Sequence, residues 1–402
     1  MQRSKALVHR FIFAAIALIL VGCGADETES IPTMTQGKEP PAETLEASPT
    51  ATLIPTFTPV PSPTPAPNNP AATSLPTPEG MIGPDEFPDG VNPLTGLEVS
   101  DAETLLRRPV SVKISNSPAQ YVRPQSGLSK ADLVFEHYAE GGVTRLTAVY
   151  YSNVLSQVGS VRSARIIDLE IPAMYQSAFA FSGASAGVKQ LIRESDFFTR
   201  SISPDFGYGE PYFYRVPREG VPLEHTLFAD LYDIWAWMDN REINQPVKLR
   251  GMGFSEIVPE SDSNAKRVHV NYIAGESQVT WIYSPASGNY QRWQGGMTHT
   301  DSQSGAQLTA SNVVVVYAHH QDTDILEDHV GGGHYSIQIQ IWGEGRAQLF
   351  RDGKLYEGRW RRSERHDMLS FVDDQGVTLP LKPGNTWFQL VPIDFDRATV
   401  ES

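Results

Sequence analysis

Apolar positions divide the chain into three regimes. An unbroken apolar run extends from Phe11 to Val21 behind Arg3, Lys5 and Arg10. From Gly24 to about residue 87, apolar side chains are scattered among Pro, Thr, Ser and Ala, and Phe57 is the one aromatic before Phe87. Beyond that, short apolar runs with period two or helical spacing recur to the C-terminus. The first run is too short for a bilayer-spanning helix, which takes about 20 apolar residues. Its order of basic residues, apolar core and small residue (Gly22) is that of an export signal over residues 1–22. The middle regime, residues 23–87, cannot bury a core, and its Thr-Pro repeats favour extended polyproline II, so it reads as a disordered tether. Roughly sixty such residues fully extended at about 3.1 Å each reach about 190 Å.

Val110, Val112 and Ile114 alternate after Pro109, and residues 131–138 (ADLVFEHY) and 145–151 (RLTAVYY) are β-branched and aromatic. Gly141-Gly142 between them suits a hairpin turn. In the first of these strands Asp132, Val134, Glu136 and Tyr138 share one face and Leu133, Phe135 and His137 the other. Helical spacing follows at about 184–194 and at 226–237, where Leu227, Leu231, Ile234 and Trp235 fall on one side. From Lys266 onward strand follows strand: RVHVNYI, QVTWIYS, NYQRWQG, NVVVVYAHH, HYSIQIQIW, AQLFRDGKLYEGRW and NTWFQLVP. Turn residues such as Ser287-Gly288-Asn289, Asp352-Gly353 and Pro383-Gly384 separate them at the spacing of a meander or small barrel. The expected fold class is α+β. A mixed α/β domain over residues 88–250 precedes a mostly antiparallel β domain over 251–402, with Pro246 to Pro259 as the connection.

Charge and cysteine content narrow the chemistry. With 32 basic and 47 acidic residues the net charge is -15, and loss of Arg3, Lys5 and Arg10 with the signal makes it more negative. Nucleic acid is disfavoured as a partner, because a binding face needs clustered positive charge. Cys23 is the single cysteine, which excludes structural disulfides, thiol catalysis in the folded part and Cys-based zinc sites. The ending Leu20-Val21-Gly22-Cys23 resembles a lipobox, where bacterial lipoproteins are diacylated on the thiol and cleaved just before it. A buried free cysteine is a poor alternative for a residue between a leader and a tether. Each lipid methylene contributes roughly 0.8 kcal/mol of membrane affinity, so the expected location is extracytoplasmic, with the chain lipid-anchored to the bacterial cell membrane.

Three constellations carry candidate chemistry. The densest comprises Arg123, Gln125, Glu136, Glu140, Arg145, Arg162, Ser163, Arg165 and Asp168. Glu136 is able to face a cleft, and Arg162 and Arg165 share a face if their segment is helical, where paired guanidinium forks suit a carboxylate or phosphate. The competing reading is that these Arg and Glu residues pair with each other and lock the fold. The second is Gly183-Ala184-Ser185-Ala186-Gly187, which fits a nucleophile-elbow pattern between a strand and a helix. It lacks an HGGG-type loop, and the only later partners are histidines such as His225 and His269 in a β-rich setting. Ser185 as a helix cap or a ligand contact is the plainer reading. The third is HHQDTDILEDHVGGGH, read as one loop holding His319, His320, Asp322, Asp324, His329 and His334. Its spacing matches no standard zinc or EF-hand motif, so no metal site is assigned. Trp281, Tyr283, Tyr290, Trp293, Trp342, Trp360 and Trp387 form a sugar-stacking platform only if several face outward; aromatics at alternating strand positions are more often core. No P-loop or dinucleotide fingerprint is present, and no cofactor is expected.

The stretch NPLTGL at Asn92 to Leu97, then RPVSVKISNSPAQYVRPQSGLSKADLVFEHYAEGGVTRLTAVY, GSVRSAR at Gly159 to Arg165, NYQRWQGGMTHTDSQSGAQLTASNVVVV, DGKLYEGRW and LKPGNTWFQLVP resemble the YerB-like lipoprotein family, whose domain is one of unknown function. The resemblance covers residues 92–392. It implies a two-domain, membrane-anchored extracytoplasmic protein and supplies no reaction. Taken together, the residues suggest a non-enzymatic envelope module that binds an anionic wall component, a cell-wall glycan or an envelope protein through Arg145, Arg162 and Arg165. The alternative is an envelope hydrolase using Ser185 or the Glu136/Glu140 pair, and a third possibility is a scaffold without a small ligand.

Overall fold

The structure, a computed structural model, describes residue 78 and residues 80–329 and 332–402. The expected signal peptide, the lipidated Cys23 and nearly all of the tether lie outside the described residues. The first half contains β1 (Val110–Ile114), β2 (Leu133–Tyr138), β3 (Thr144–Tyr150), β4 (Val158–Gly159), β5 (Ala178–Ala180), β6 (Ser201–Ile202), β7 (Phe213–Arg215) and β8 (Leu227–Ala229). Its helices are α1 (Ala119–Val122), α2 (Ile171–Met174), α3 (Ala186–Glu194) and α4 (Leu231–Asn240). The second half is β throughout: β9 (Arg267–Val270), β10 (Val279–Ser284), β11 (Asn289–Gln294), β12 (Met297–Thr298), β13 (Thr309–Ala310), β14 (Asn312–Asp328), β15 (His334–Gln340), β16 (Gly343–Arg351), β17 (Lys354–Arg362), β18 (Ser370–Val372), β19 (Thr386–Pro392) and β20 (Ala398–Glu401). This is the expected α+β class, mixed in the first half and mostly antiparallel in the second.

One sheet of eleven strands runs through both halves in the order β18-β17-β16-β14-β19-β2-β3-β1-β5-β6, with β15 paired to β14. The junction is β19, which lies parallel to β14 on one side and to β2 on the other. Both faces of this sheet are covered, which is why its central strands read as nearly continuous apolar runs rather than as alternations. On one face Val134, Ala148, Val112, Val313, Val315 and Trp387 pack against Val268, Val270, Val279 and Trp281 of a second, six-stranded sheet, ordered β12-β11-β10-β9-β20 with β13 paired to β11. The same face continues onto Phe213, Leu227 and the α4 residues Leu231, Ile234 and Trp235. On the other face Leu133, Phe135, Val149, Val314, Phe388 and Leu390 pack with Ile167, Ile171, Met174 and Phe254. Phe388 stacks on Phe135 at 4.5 Å between ring centroids.

Several elements differ from the sequence reading. Leu227–Ala229 is strand, not helix; the helix begins only at Leu231, where the Asp230 side chain accepts from the Asp233 amide at 3.2 Å. The tether reading runs to residue 87, yet Ile82 and Phe254 already exchange backbone hydrogen bonds of 2.7 and 2.8 Å, and Phe87 packs beside Phe254. The histidine-rich stretch is not a loop. It is the far half of the long β14 paired back on β15, so successive side chains alternate between faces. The β2–β3 hairpin forms at Glu140–Gly142, where Gly141 and Gly142 take φ of 70° and 74°, a region open to glycine.

Candidate functional site

The two packed sheets enclose a polar layer. In β2, Glu136 shares its face with Val134 and Tyr138, so a carboxylate projects into an apolar seam. It is fully buried rather than open to a cleft, and its partner comes from the other sheet: Arg292 Nη2 donates to Glu136 Oε2 at 2.7 Å, with both side chains at 0% exposure. Gln294 Nε2 at 3.0 Å, Asn116 Nδ2 at 3.2 Å and the Thr144 hydroxyl at 2.7 Å donate to Glu136 Oε1. The Arg292 guanidinium lies over the rings of Trp387 and Trp281, 4.3 and 4.9 Å from their centroids. Arg292 Nε donates to His299 Nδ1 at 2.9 Å, which leaves His299 Nε2 as the N–H that donates to Gln125 Oε1 at 2.7 Å. Burial first, then the charges of Arg292 and Arg123, hold the His299 pKa well below its ordinary value, so this imidazole is neutral.

The opposite sheet face carries a separate set. Lys113, fully buried, contacts Asp168 at 2.7 Å and His137 at 2.6 Å. Desolvation pulls the Lys113 pKa down to about 8. Arg165 forms a two-pronged contact with Glu140 and reaches Glu327 at 3.3 Å. Arg145 donates to the Ser163 carbonyl at 2.8 Å and lies 3.7 Å from Glu140. Burial raises the Glu140 carboxyl, but Arg165 and then Arg145 outweigh it and leave its pKa below the usual value. Two guanidiniums therefore face two carboxylates, and the mutual-pairing reading of Arg145, Arg165 and Glu140 is the one the geometry supports. Arg162 does not share a helix face with Arg165. Its segment is extended, Arg165 caps a short 3-10 turn at Ile166–Leu169 through its backbone and Asp168, and Arg162 makes a long contact to the Glu224 carbonyl at 3.4 Å. Glu136 and Glu140 serve different networks on opposite faces and share no partner.

Ser185 does sit between a strand, β5, and a helix, α3, but its hydroxyl has no hydrogen-bond partner among the described residues and does not cap the helix. The Asp205 carboxylate occupies the turn, 3.4 Å from the Ala184 amide and ion-paired to Lys189 at 2.6 Å. A fixed negative charge there opposes a developing oxyanion. His225 stacks on Tyr121, and His269 bonds Thr280 and Glu401; neither is hydrogen-bonded to the Ser185 hydroxyl. Among the described residues no group of three or more His, Cys, Asp or Glu side chains is placed to share a metal ion. Trp281, Tyr290, Trp360 and Trp387 are core.

The polar layer opens to solvent at one end. A cleft of about 520 Å³ is lined by Ala119, Gln120, Arg123 and Pro124 from the first half and by Glu276, Gln294 and residues 295 and 297–300 from the second. Arg123 Nε and Nη2 donate to Asn116, and Nη1 makes no hydrogen bond within the described protein. Burial pulls the Arg123 pKa down to about 10, which still leaves it charged at neutral pH. Opposite it, Glu276 accepts from the Ser117 hydroxyl and, at 2.9 Å, from the Ala119 amide. Of the sequence candidates, the structure brings Arg123, Gln125 and Glu136 together here. Glu140, Arg145, Ser163, Arg165 and Asp168 group on the other face, with Arg162 at their edge and Ser185 apart. Sequence reasoning missed Glu276, Arg292, Gln294 and His299. The usable signal was in NYQRWQ, where Tyr290, Arg292 and Gln294 fall on the buried face at period two.

Models of the family "Protein of unknown function (DUF3048)" match here, the N-terminal domain at residues 94–244 and the C-terminal domain at residues 268–388. The Bacillus subtilis protein YerB, provisionally named a lipoprotein, is 30% identical over 308 residues, covering 77% of this chain and 88% of YerB. The crystal structure of YerB superposes with a TM-score of 0.64 at 28% identity, covering 77% of this chain and 99% of that one.

Two outcomes are expected. Glu136→Leu leaves the Arg292 charge buried and unpaired and costs about 3 to 5 kcal/mol of unfolding free energy; Glu136→Leu combined with Arg292→Met costs less than Glu136→Leu alone, measured by denaturant titration. His137 and His299 have pKa values well below the ordinary one, and burial pulls His320 to about 4. The unfolded chain therefore takes up protons near pH 6.5 that the folded chain refuses, and stability falls as pH drops through that value. The full slope is about 1.4 kcal/mol per pH unit for each histidine. Melting temperatures recorded from pH 7.5 to 5 check it, and a flat profile contradicts the burial of these rings.

Proposed function

Since this chain belongs to the DUF3048 family of proteins of unknown function, we propose that it is a lipid-anchored extracytoplasmic binding module whose ligand site is the cleft over Arg123. The observation that carries this reading is the guanidinium itself. Arg145 and Arg165 have Glu140 and Glu327 as carboxylate partners within 4.0 Å, whereas Arg123 has no carboxylate that close among the described residues and lies on a cleft lined from both halves of the chain. The sequence reading put the anionic ligand on Arg145, Arg162 and Arg165; the geometry favours Arg123. An anionic wall component or glycan fragment presents the carboxylate or phosphate that such a donor accepts. Hydrolysis through Ser185 or through Glu136 with Glu140 draws no support from the geometry, since the serine lacks a base and the carboxylates are each committed to arginines.

The anchor rests on the lipobox-like ending at Cys23 and on the naming of YerB as a lipoprotein. No helix among the described residues is long and apolar enough to cross a membrane. Cys23→Ser is expected to abolish incorporation of labelled fatty acid and to move the protein from the membrane fraction to the soluble fraction; unchanged partition overturns the anchor.

The site is tested by melting the full chain in detergent with acetate, phosphate, muropeptides and anionic glycan fragments. A ligand present at a hundred times its Kd adds about 2.7 kcal/mol of apparent stability. The expected result is a rise in melting temperature that disappears in Arg123→Gln and survives in Arg162→Ala. The reverse pattern transfers the site to the arginine cluster, and the absence of any shift refutes a binding module for these ligand classes.

A further inference from the structure

We infer that the cleft accepts a zwitterion, an amino acid or short peptide with a free ammonium group held by Glu276 and a free carboxylate held by Arg123. This deepens the binding reading above and rests on it. The cleft has two opposite charges on its walls, and neither is neutralised within the described protein: Arg123 and Glu276 take part in no ion pair within 4.0 Å, although both line the same space of about 520 Å³. Several other buried charges of this molecule are matched in contact, as in Lys113 with Asp168, Arg292 with Glu136 and Arg362 with Glu170, and others, such as Asp132 and Asp301, are met by neutral hydrogen-bond donors.

Both groups are fixed before any ligand arrives. Asn116 holds two of the three Arg123 nitrogens, so the remaining Nη1 has little freedom. The Ser117 hydroxyl and the Ala119 amide each take one Glu276 oxygen, and each oxygen retains a second acceptor position. The two anchors are coupled through the backbone, since Asn116, Ser117 and Ala119 lie in one stretch of chain. Glu276 comes from the second half, so a molecule bridging the charges also bridges the halves. Burial lowers the proton affinity of Arg123, Glu136 raises it, Arg292 lowers it and Glu276, with the smallest effect of the four, raises it; the Arg123 and Glu276 charges sense each other yet do not meet. A neutral or singly charged ligand leaves one charge exposed; a molecule carrying both complementary charges satisfies both. Between the anchors, Gln294 and His299 are tied into the polar layer and Met297 stands 75% exposed at the rim, which gives a small alkyl side chain an apolar surface to rest on.

The test is calorimetric titration of the full chain in detergent with alanine, dialanine and trialanine in both configurations, followed by the N-acetyl and C-amide forms of whichever binds best. Charge-assisted hydrogen bonds lost at either end are expected to weaken binding about tenfold or more. Glu276→Gln is expected to bind the acetylated and free forms equally while still preferring the free carboxylate. Equal binding of free and capped peptides by the wild type overturns the inference, as does the failure of every free peptide to bind. If the free peptides fail while an amine-lacking anion still raises the melting temperature through Arg123, the zwitterion is wrong and the binding module remains. The ligand series uses the unmodified protein, so it stays decisive even if a variant does not fold.

Discussion

The buried ion pair of Glu136 and Arg292 is the constraint around which the two sheets are arranged. A carboxylate and a guanidinium removed from water tolerate little misplacement, because their mutual attraction offsets desolvation only with good geometry and filled hydrogen-bonding positions. Here Gln294, Asn116 and Thr144 complete the carboxylate while two tryptophan rings flank the cation. An apolar seam alone would let the six-stranded sheet slide over the eleven-stranded one. A single buried pair admits one register, and through His299 and Gln125 that register sets where the cleft residues stand.

Two populations of arginine emerge from the same sequence cluster. Arg145 and Arg165 are structural cations whose charge is spent on Glu140 and Glu327, holding the β2–β3 turn against the far end of β14. Arg123 is positioned by a neutral residue, Asn116, and so keeps its charge for something else. Residue type alone does not separate these cases. The separation comes from Glu327, Glu276 and Arg292, all remote in the chain.

That distinction marks how far the sequence was legible. Strand existence was readable almost throughout, because period-two alternation and turn residues are local signals. The face assignment in β2 also followed from alternation, and it put Glu136 on the correct side. Reading Glu136 as able to face a cleft failed because burial depends on β10 and β11, which lie more than a hundred residues away. The 227–229 strand was hidden by helix-like spacing of leucine and tryptophan that a short strand running into a helix reproduces. The histidine stretch looked like a loop because its polar composition hides a strand whose exposed half is solvated.

The position of β19 carries a consequence for the birth of the molecule. It fills the gap between β14 and β2 in the middle of the sheet, yet it is the penultimate strand in chain order, ending at Pro392. Until those residues appear, the earlier strands have edges with nothing between them, and pairings across such sequence distances are slow to form. A chain delivered amino end first through a membrane would wait, tethered and with open sheet edges, for almost its entire length to emerge. Such a protein is vulnerable to premature proteolysis and to truncation near its end, and loss of the last few dozen residues would undo the first half as surely as the second.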